Sequence, residues 1–125
     1  MAVRLLIVEP DRALLDTYRA YFVRLGLDVT TATNGEQGRE SFLEHHQDAL
    51  LLEPDLPRGD SALLLGTIAS QTDQRPLPVV VASRRTWVEL GFPIYGYYVK
   101  PLLLSTLLES ILVAARQPSG RRKEA

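Results

Sequence analysis

The stretch that most constrains the fold lies at residues 50–57 of this 125-residue chain and reads LLLEPDLP. Three consecutive leucines predict a short strand that is covered on both faces, as in a parallel sheet with helices above and below it. Acidic residues and prolines end the apolar run at Glu53. Because open α/β sheets place their sites at the carboxyl ends of strands, Glu53 is the first candidate for a functional side chain.

Apolar runs and helical patterns alternate along the rest of the chain. The runs predict five strands, at residues 4–8, 28–33, 49–53, 78–82 and 95–99. Helical spacing and capping residues, with Asp11 before the first helix and Asp60 or Ser61 at the third, predict helices at residues 12–25, 37–46, 60–68, 84–92 and 104–112. The fourth of these can only be short, because Gly91 and Pro93 interrupt it. This alternation predicts an α/β protein with right-handed crossovers and a doubly wound parallel sheet.

Length and composition restrict the class of protein further. We expect one domain over residues 1–116 and a flexible polar and basic tail over residues 117–125. The net charge of −1 argues against a nucleic-acid surface, and no apolar run is long enough to span a membrane. The absence of cysteine fits a cytoplasmic protein. The adjacent His45 and His46 would point apart on a helix, so we expect a solvated helix end there rather than a metal site.

Four predicted strand ends carry polar side chains, namely Glu9, Glu53, Ser83 and Lys100. Since the carboxyl ends of parallel strands share one edge of the sheet, we expect these four side chains to converge. The simpler interpretation is a structural ion pair between Lys100 and a carboxylate, with Ser83 as a cap. Prolines follow three of the four residues, and the complete set favours a functional site over that simpler interpretation.

Five segments carry a resemblance to a known family: LLIVE at 5–9, TNG at 33–35, EPDLP at 53–57, LPVVV at 77–81 and YVKP at 98–101. Over roughly residues 3–115 the chain resembles the receiver domains of two-component response regulators. The lysine-proline pair after an aromatic strand is specific only together with the proline four residues after Glu53. The resemblance implies a flavodoxin-like doubly wound five-stranded parallel sheet, a (βα)5 receiver fold with strand order 2-1-3-4-5.

The resemblance also implies a phosphorelay mechanism. In such domains an aspartate after the third strand takes a phosphoryl group from a phosphohistidine, while Mg²⁺ and a lysine neutralise the charge. A hydroxyl after the fourth strand and an aromatic residue in the fifth then change position. Carried over by position, the resemblance assigns the acceptor to Glu53, the first acid to Glu9, the backbone carbonyl that reaches the metal to Asp55, the hydroxyl to Ser83, the switch aromatic to Tyr97 and the lysine to Lys100. Asp11 is a further acid that could supply charge to this pocket.

Three departures from the family pattern determine the predicted function. Glu53 replaces the expected aspartate, and its extra methylene moves the carboxylate by about 1.5 Å, a displacement that can cost about a hundredfold in rate. Pro10 replaces an acid that usually holds the metal, so Glu9, Glu53 and Asp55 are expected to bind Mg²⁺ weakly or not at all. The chain between the fourth strand and Lys100 is also shorter than usual, by about one helical turn.

We therefore predict a pseudo-receiver, a protein-interaction module that works without phosphorylation and is not an enzyme. Glu53 would reach Lys100 and partly imitate the phosphorylated state, with less charge than an acyl phosphate. The partner would be a sensor kinase, an output domain or another signalling protein, and a homodimer is also open; we expect neither nucleic acid nor a membrane as a partner of this domain. The predicted docking face is formed by the fourth helix, the fifth strand and the last helix, where aromatic residues cluster at Trp87, Tyr95, Tyr97 and Tyr98.

Two alternatives stay open at this point. The chain could be a phosphorylatable receiver that uses Glu53 or Asp55 with an atypical metal site. It could also be a small flavodoxin-like cofactor-binding protein. The second alternative is disfavoured because the acids after the first strand, Glu9 and Asp11, would repel a phosphate at the helix N-terminus.

Overall fold

The computed structural model describes residues 2–57, 60–71 and 77–116, which form a five-stranded parallel sheet. The strands are β1 (Arg4–Val8), β2 (Asp28–Ala32), β3 (Ala49–Leu52), β4 (Val79–Ser83) and β5 (Gly96–Val99). Their order is β2-β1-β3-β4-β5, as expected. All side chains of β3 and β4 are buried, which confirms that the central strands are covered on both faces.

Four helices lie within the described residues: α1 (Arg12–Arg24), α2 (Gly35–Glu44), α3 (Asp60–Ser70) and α4 (Leu104–Ala115). Asp11 caps α1 as predicted, because its Oδ1 accepts hydrogen bonds from the backbone N–H groups of Ala13 and Leu14. The Asn-Gly pair at residues 34–35, a sequence typical of a turn, is instead the start of α2. The Asn34 side chain accepts a hydrogen bond from the N–H of Gln37 and caps that helix.

The helices cover the sheet in two layers. One core lies on the side of α1 and α4, and the other on the side of α2 and α3. Tyr98 packs against the first core and Tyr97 against the second, because neighbouring residues of a strand point to opposite faces of the sheet. The helix predicted over residues 12–25 ends one residue earlier, and Leu25 is half-exposed beyond that end.

The segment between β4 and β5 departs from the predicted (βα)5 pattern. Residues 84–95 form no helix, so the short fourth helix predicted there is wrong. Gly91 adopts a left-handed φ of +62°, which helical residues do not share, and Pro93 cannot donate a helical hydrogen bond. Leu90, Phe92 and Ile94 nevertheless pack against the second core, so the irregular segment covers the face that a helix would otherwise cover.

The described residues contain no helix with both the length and the apolar content needed to cross a membrane. The tail predicted at residues 117–125 lies outside the described residues.

Candidate functional site

The carboxyl edge of the sheet brings three of the predicted residues together. Glu9 follows β1, Glu53 follows β3 and Lys100 follows β5. The backbone ladder extends to each of them: Glu9 N–H donates to Ala32 O at 3.0 Å, Glu53 N–H to Val8 O at 3.0 Å, and Lys100 N–H to Ser83 O at 2.7 Å. The sheet itself therefore fixes the position from which each side chain starts.

Glu9, Lys100 and Glu53 form a buried ion triad. The Lys100 Nζ lies 2.7 Å from Glu9 Oε1 and 2.9 Å from Glu53 Oε1. The side chains of Lys100, Glu9 and Glu53 are only 9%, 3% and 7% exposed, respectively. Charge-assisted hydrogen bonds of this kind are short and strong, and they are needed because a buried charge without a partner costs several kcal/mol. The sequence predicted an ion pair between Lys100 and one carboxylate, and in the structure Lys100 pairs with two.

The second oxygen of each carboxylate is bound to the loop that follows its own strand. Glu9 Oε2 accepts a hydrogen bond from the N–H of Asp11 at 3.0 Å. Glu53 Oε2 accepts one from the N–H of Asp55 at 2.9 Å. Each glutamate therefore folds back on the backbone two residues later, and all four carboxylate oxygens have a donor. This arrangement holds both acids in one orientation and leaves a net charge of −1 on the triad.

Ser83 and Tyr97 lie near the triad but are bound to a common residue of the β4–β5 segment. Ser83 is fully buried, and its Oγ accepts a hydrogen bond from Arg85 N–H at 3.1 Å. The Tyr97 hydroxyl donates to Arg85 O at 3.0 Å, and its ring lies against Trp87 with 4.8 Å between the ring centroids. Ser83 therefore closes a turn onto the backbone two residues later and caps no helix, since residues 84–95 form none. The backbone of Arg85 joins the two predicted switch positions.

Asp11 and Asp55, the other two acids of the predicted pocket, lie outside the triad. Asp11 Oδ2 is 3.6 Å from Arg84 Nη2, and Asp55 Oδ1 is 3.6 Å from Arg85 Nη2. The sequence interpretation missed both arginines as partners of these acids. Their position directly after Ser83, on the same sheet edge as the acids, could have indicated them.

The donor set fits a magnesium ion poorly. The described residues contain no group of three or more acidic, histidine or cysteine side chains placed to hold a metal. Lys100 already bridges the two buried carboxylates, while the Asp55 carboxylate faces Arg85. Pro10 has no oxygen on its side chain, although Mg²⁺ prefers an octahedron of oxygen ligands. The weak metal set predicted from Glu9, Glu53 and Asp55 is therefore not assembled here.

Tyr18 lies in the core below the acids, on the buried face of α1. Its hydroxyl is buried and has no hydrogen-bond partner among the described residues. Burial, together with the negative charges of Glu9 and Glu53, raises the pKa of this hydroxyl far above its usual value. The group therefore stays protonated and remains a potential hydrogen-bond donor.

His45 and His46 lie away from this site, beyond the end of α2. Both are exposed, and their nearest acidic atoms belong to Glu44 at 3.8 Å and Asp48 at 3.2 Å, respectively. The prediction of a solvated helix end for this pair is confirmed.

Sequence relatives of the chain are response regulators, although no protein-family model matches it. Response regulator MprA of Mycobacterium ulcerans is 28% identical over 130 residues, which cover 100% of this chain and 55% of that protein. Transcriptional regulatory protein DltR of Streptococcus agalactiae is 27% identical over 120 residues, covering 94% and 54%. The chain thus spans about half the length of the curated relatives it matches.

Solved structures of the same fold are receiver domains. A CheY-like receiver domain protein from Methanospirillum hungatei superposes with a TM-score of 0.80 at 22% identity over 100% of both chains. The N-terminal domain of a response regulator/sensory box/GGDEF protein from Carboxydothermus hydrogenoformans gives 0.78 at 26% identity, covering 90% and 94%. The receiver domain of the Pseudomonas aeruginosa sensor histidine kinase PA1611, with magnesium in its active-site cleft, gives 0.82 at 21% identity, covering 94% and 100%.

The strand order, with the acids and the lysine at the carboxyl edge, defines a flavodoxin-like fold. Taken with the response regulators among its sequence relatives, these features give the chain the fold of a response-regulator receiver domain.

Proposed function

We propose that this receiver domain is a pseudo-receiver, which transmits a signal through protein contact without being phosphorylated. In this proposal Glu53 occupies the position of the phospho-acceptor. The observation that carries the proposal is the contact of Lys100 Nζ with both Glu9 and Glu53, at 2.7 and 2.9 Å, in a buried environment.

The hydrogen bonds of Glu53 argue against its use as a nucleophile. One oxygen accepts from Lys100 and the other from the backbone of Asp55, so attack on a phosphorus atom would have to break one of these bonds. The charge balance argues in the same direction. Lys100 is shared between two carboxylates, and an incoming phosphoryl group would meet a site that already carries a net charge of −1.

The same contacts support a fixed signalling state. Glu53 provides Lys100 with a permanent anionic partner, the kind of partner that a phosphoryl group would supply in the family mechanism. Ser83 and Tyr97 are both held by the backbone of Arg85, so the two switch positions have partners in this arrangement. We infer that the domain holds one conformation in place of a phosphorylation-dependent pair.

The docking face in this proposal consists of residues 84–95, β5 and α4. The predicted fourth helix is replaced there by the irregular segment. This face exposes large apolar side chains, with Trp87 60% and Leu103 71% exposed, and with Tyr95 and Val99 half-exposed. Contiguous exposed apolar residues of this kind are typical of protein-binding surfaces. The partner that we propose is a signalling protein, namely a sensor kinase, an output domain or another signalling protein.

The experiment that tests the proposal is intact-protein mass spectrometry after incubation with acetyl phosphate and Mg²⁺. We expect the parent chain to gain no phosphoryl group. A Glu53→Asp variant and a Pro10→Asp/Glu53→Asp double variant restore the family residues in turn. Labelling of the double variant, with or without labelling of the single one, would place the defect in these two positions.

A labelled parent chain would overturn the proposal. It would support the second candidate, a phosphorylatable receiver with an atypical site. The magnesium ion in the similar PA1611 receiver domain and the exposed carboxylate of Asp55 favour that candidate. Glu53→Gln and Asp55→Asn variants would then show which carboxylate carries the label, because only one of them should abolish the mass increase.

A further inference from the structure

A cavity of about 480 Å³ lies beside the triad, between α1 and the connection from β5 to α4. We propose that this cavity binds a small molecule with an apolar body and a single anionic group, such as an aryl carboxylate. The inference goes beyond the proposed function, because the cavity and its lining are independent of whether Glu53 can be phosphorylated.

The size and the walls of the cavity suit such a ligand. Its volume falls within the range of roughly 300–1,000 Å³ that is usual for small-molecule sites. Leu14 from α1 forms one wall, and Leu102 and Leu104 from the opposite connection form another. These three leucines are only partly buried, so an apolar body placed between them would remove further apolar surface from water.

The charges around the cavity favour one negative charge on the ligand. Arg84 lines the cavity with a side chain that is 77% exposed, and its contact with Asp11 at 3.6 Å is an exposed pair of low strength. The ammonium group of Lys100 is already bound by the two glutamates. Arg84 is thus the cation available to an anion, whereas Asp11 and the net −1 of the triad would repel a ligand with several charges.

Tyr18 lines the cavity but is only 2% exposed, and its hydroxyl has no hydrogen-bond partner among the described residues. The hydroxyl itself is inaccessible, so Tyr18 contributes to the wall of the cavity and makes no polar contact with the ligand.

The test uses the complete chain with methyl-labelled leucine and two probes, 2-naphthoate and its uncharged analogue 2-naphthalenemethanol. We expect saturable shifts of the methyl signals of Leu14, Leu102 and Leu104, with a dissociation constant for 2-naphthoate of about 1 mM or lower. The exposed leucines Leu43 and Leu63 lie outside the cavity lining and serve as internal controls whose signals should stay in place.

Two arginine variants test the assignment of the anion contact. Arg84→Gln should weaken 2-naphthoate binding about tenfold and leave 2-naphthalenemethanol binding unchanged. Arg85→Gln is the matched control, because Arg85 is the next residue, pairs with Asp55 at the same distance of 3.6 Å, and does not line the cavity. It should change neither affinity.

The proposal is overturned if 2-naphthoate causes no saturable shifts at the three cavity leucines, or if Leu43 and Leu63 shift equally. It is also overturned if Arg84→Gln and Arg85→Gln weaken binding to the same extent, since that result would indicate general charge attraction. The acetyl phosphate experiment tests the proposed function separately. The pseudo-receiver proposal and the ligand-binding proposal can therefore fail independently of each other.

Discussion

The two halves of the sheet differ in how closely they follow the receiver pattern. On the side of β1 and β3, strands and helices alternate regularly and the acids are buried in a closed triad. On the side of β4 and β5, a helix is replaced by the irregular residues 84–95, the arginines are exposed, and aromatic side chains face solvent. The buried acids and Lys100 are thus held rigid by their hydrogen bonds, while the segment between β4 and β5 is rebuilt relative to the receiver pattern.

The largest expected effect concerns the triad. Lys100→Met removes the ammonium group and leaves Glu9 and Glu53 as two buried carboxylates without their shared cation. We expect the free energy of unfolding to fall by about 3–5 kcal/mol, as measured by urea denaturation. Arg85→Gln breaks an exposed ion pair and should cost less than about 1 kcal/mol. If the two variants cost the same, the contrast between a rigid site and a loosely held segment is wrong.

The second effect tests the close packing on the regular side of the sheet. A Cβ atom at Gly38 of α2 would lie 2.8 Å from Cγ2 of Val8, so Gly38→Ala should destabilise the fold by about 1–3 kcal/mol despite the better helix propensity of alanine. Gly66 of α3 has open space around its Cα, and Gly66→Ala should stabilise the fold by up to about 1 kcal/mol. Thermal or urea unfolding of the two variants gives the comparison, and a stabilising Gly38→Ala would contradict the packing described here.

The smallest expected effect concerns the hydroxyl beneath the triad. Tyr18→Phe removes a buried group that has no partner among the described residues and should stabilise the fold by about 1 kcal/mol. Tyr21→Phe, in the same helix but only partly buried, should not.

The pH dependence sharpens that prediction. The pKa of Tyr18 is raised in the folded state, so above about pH 10 the unfolded chain loses its phenol proton while the folded chain keeps it. The parent chain therefore loses stability as the pH rises through this range, and the advantage of Tyr18→Phe should grow. An advantage that stays constant with pH would show that the hydroxyl is solvated in the folded state.

The sequence predicted the sheet well because each strand is a distinct apolar run, and the pattern around Leu50–Leu52 could only be a strand covered on both faces. The prediction failed between β4 and β5, where Gly91 and Pro93 prevent the helix that the neighbouring residues favour. The path of this segment is instead set by the packing of its apolar side chains against the second core. The Asn-Gly pair at residues 34–35 is also ambiguous in the sequence, because an asparagine side chain can cap a helix as readily as it can stabilise a turn.

The site was predicted in outline, because Glu9, Glu53 and Lys100 follow strands and Ser83 ends one. The sharing of Lys100 between both glutamates depends on side-chain torsion angles, as do the backbone hydrogen bonds of their second oxygens. The partnership of Arg84 and Arg85 with Asp11 and Asp55 depends on the path of the loops. Local sequence patterns give no side-chain torsion angles, and they place the two arginines only at the same edge of the sheet as these acids.

One peptide unit on the rebuilt side has a wider consequence. The N–H of Arg85 holds Ser83, which is buried at the end of β4, and the carbonyl of the same residue holds Tyr97, whose ring contacts the exposed Trp87. A protein that binds Trp87 would therefore contact a network of hydrogen bonds and ring contacts that extends to the buried Ser83. If binding at Trp87 changes the surroundings of Ser83, thermodynamic reciprocity requires that a change at Ser83 alters the affinity at Trp87 by the same free energy.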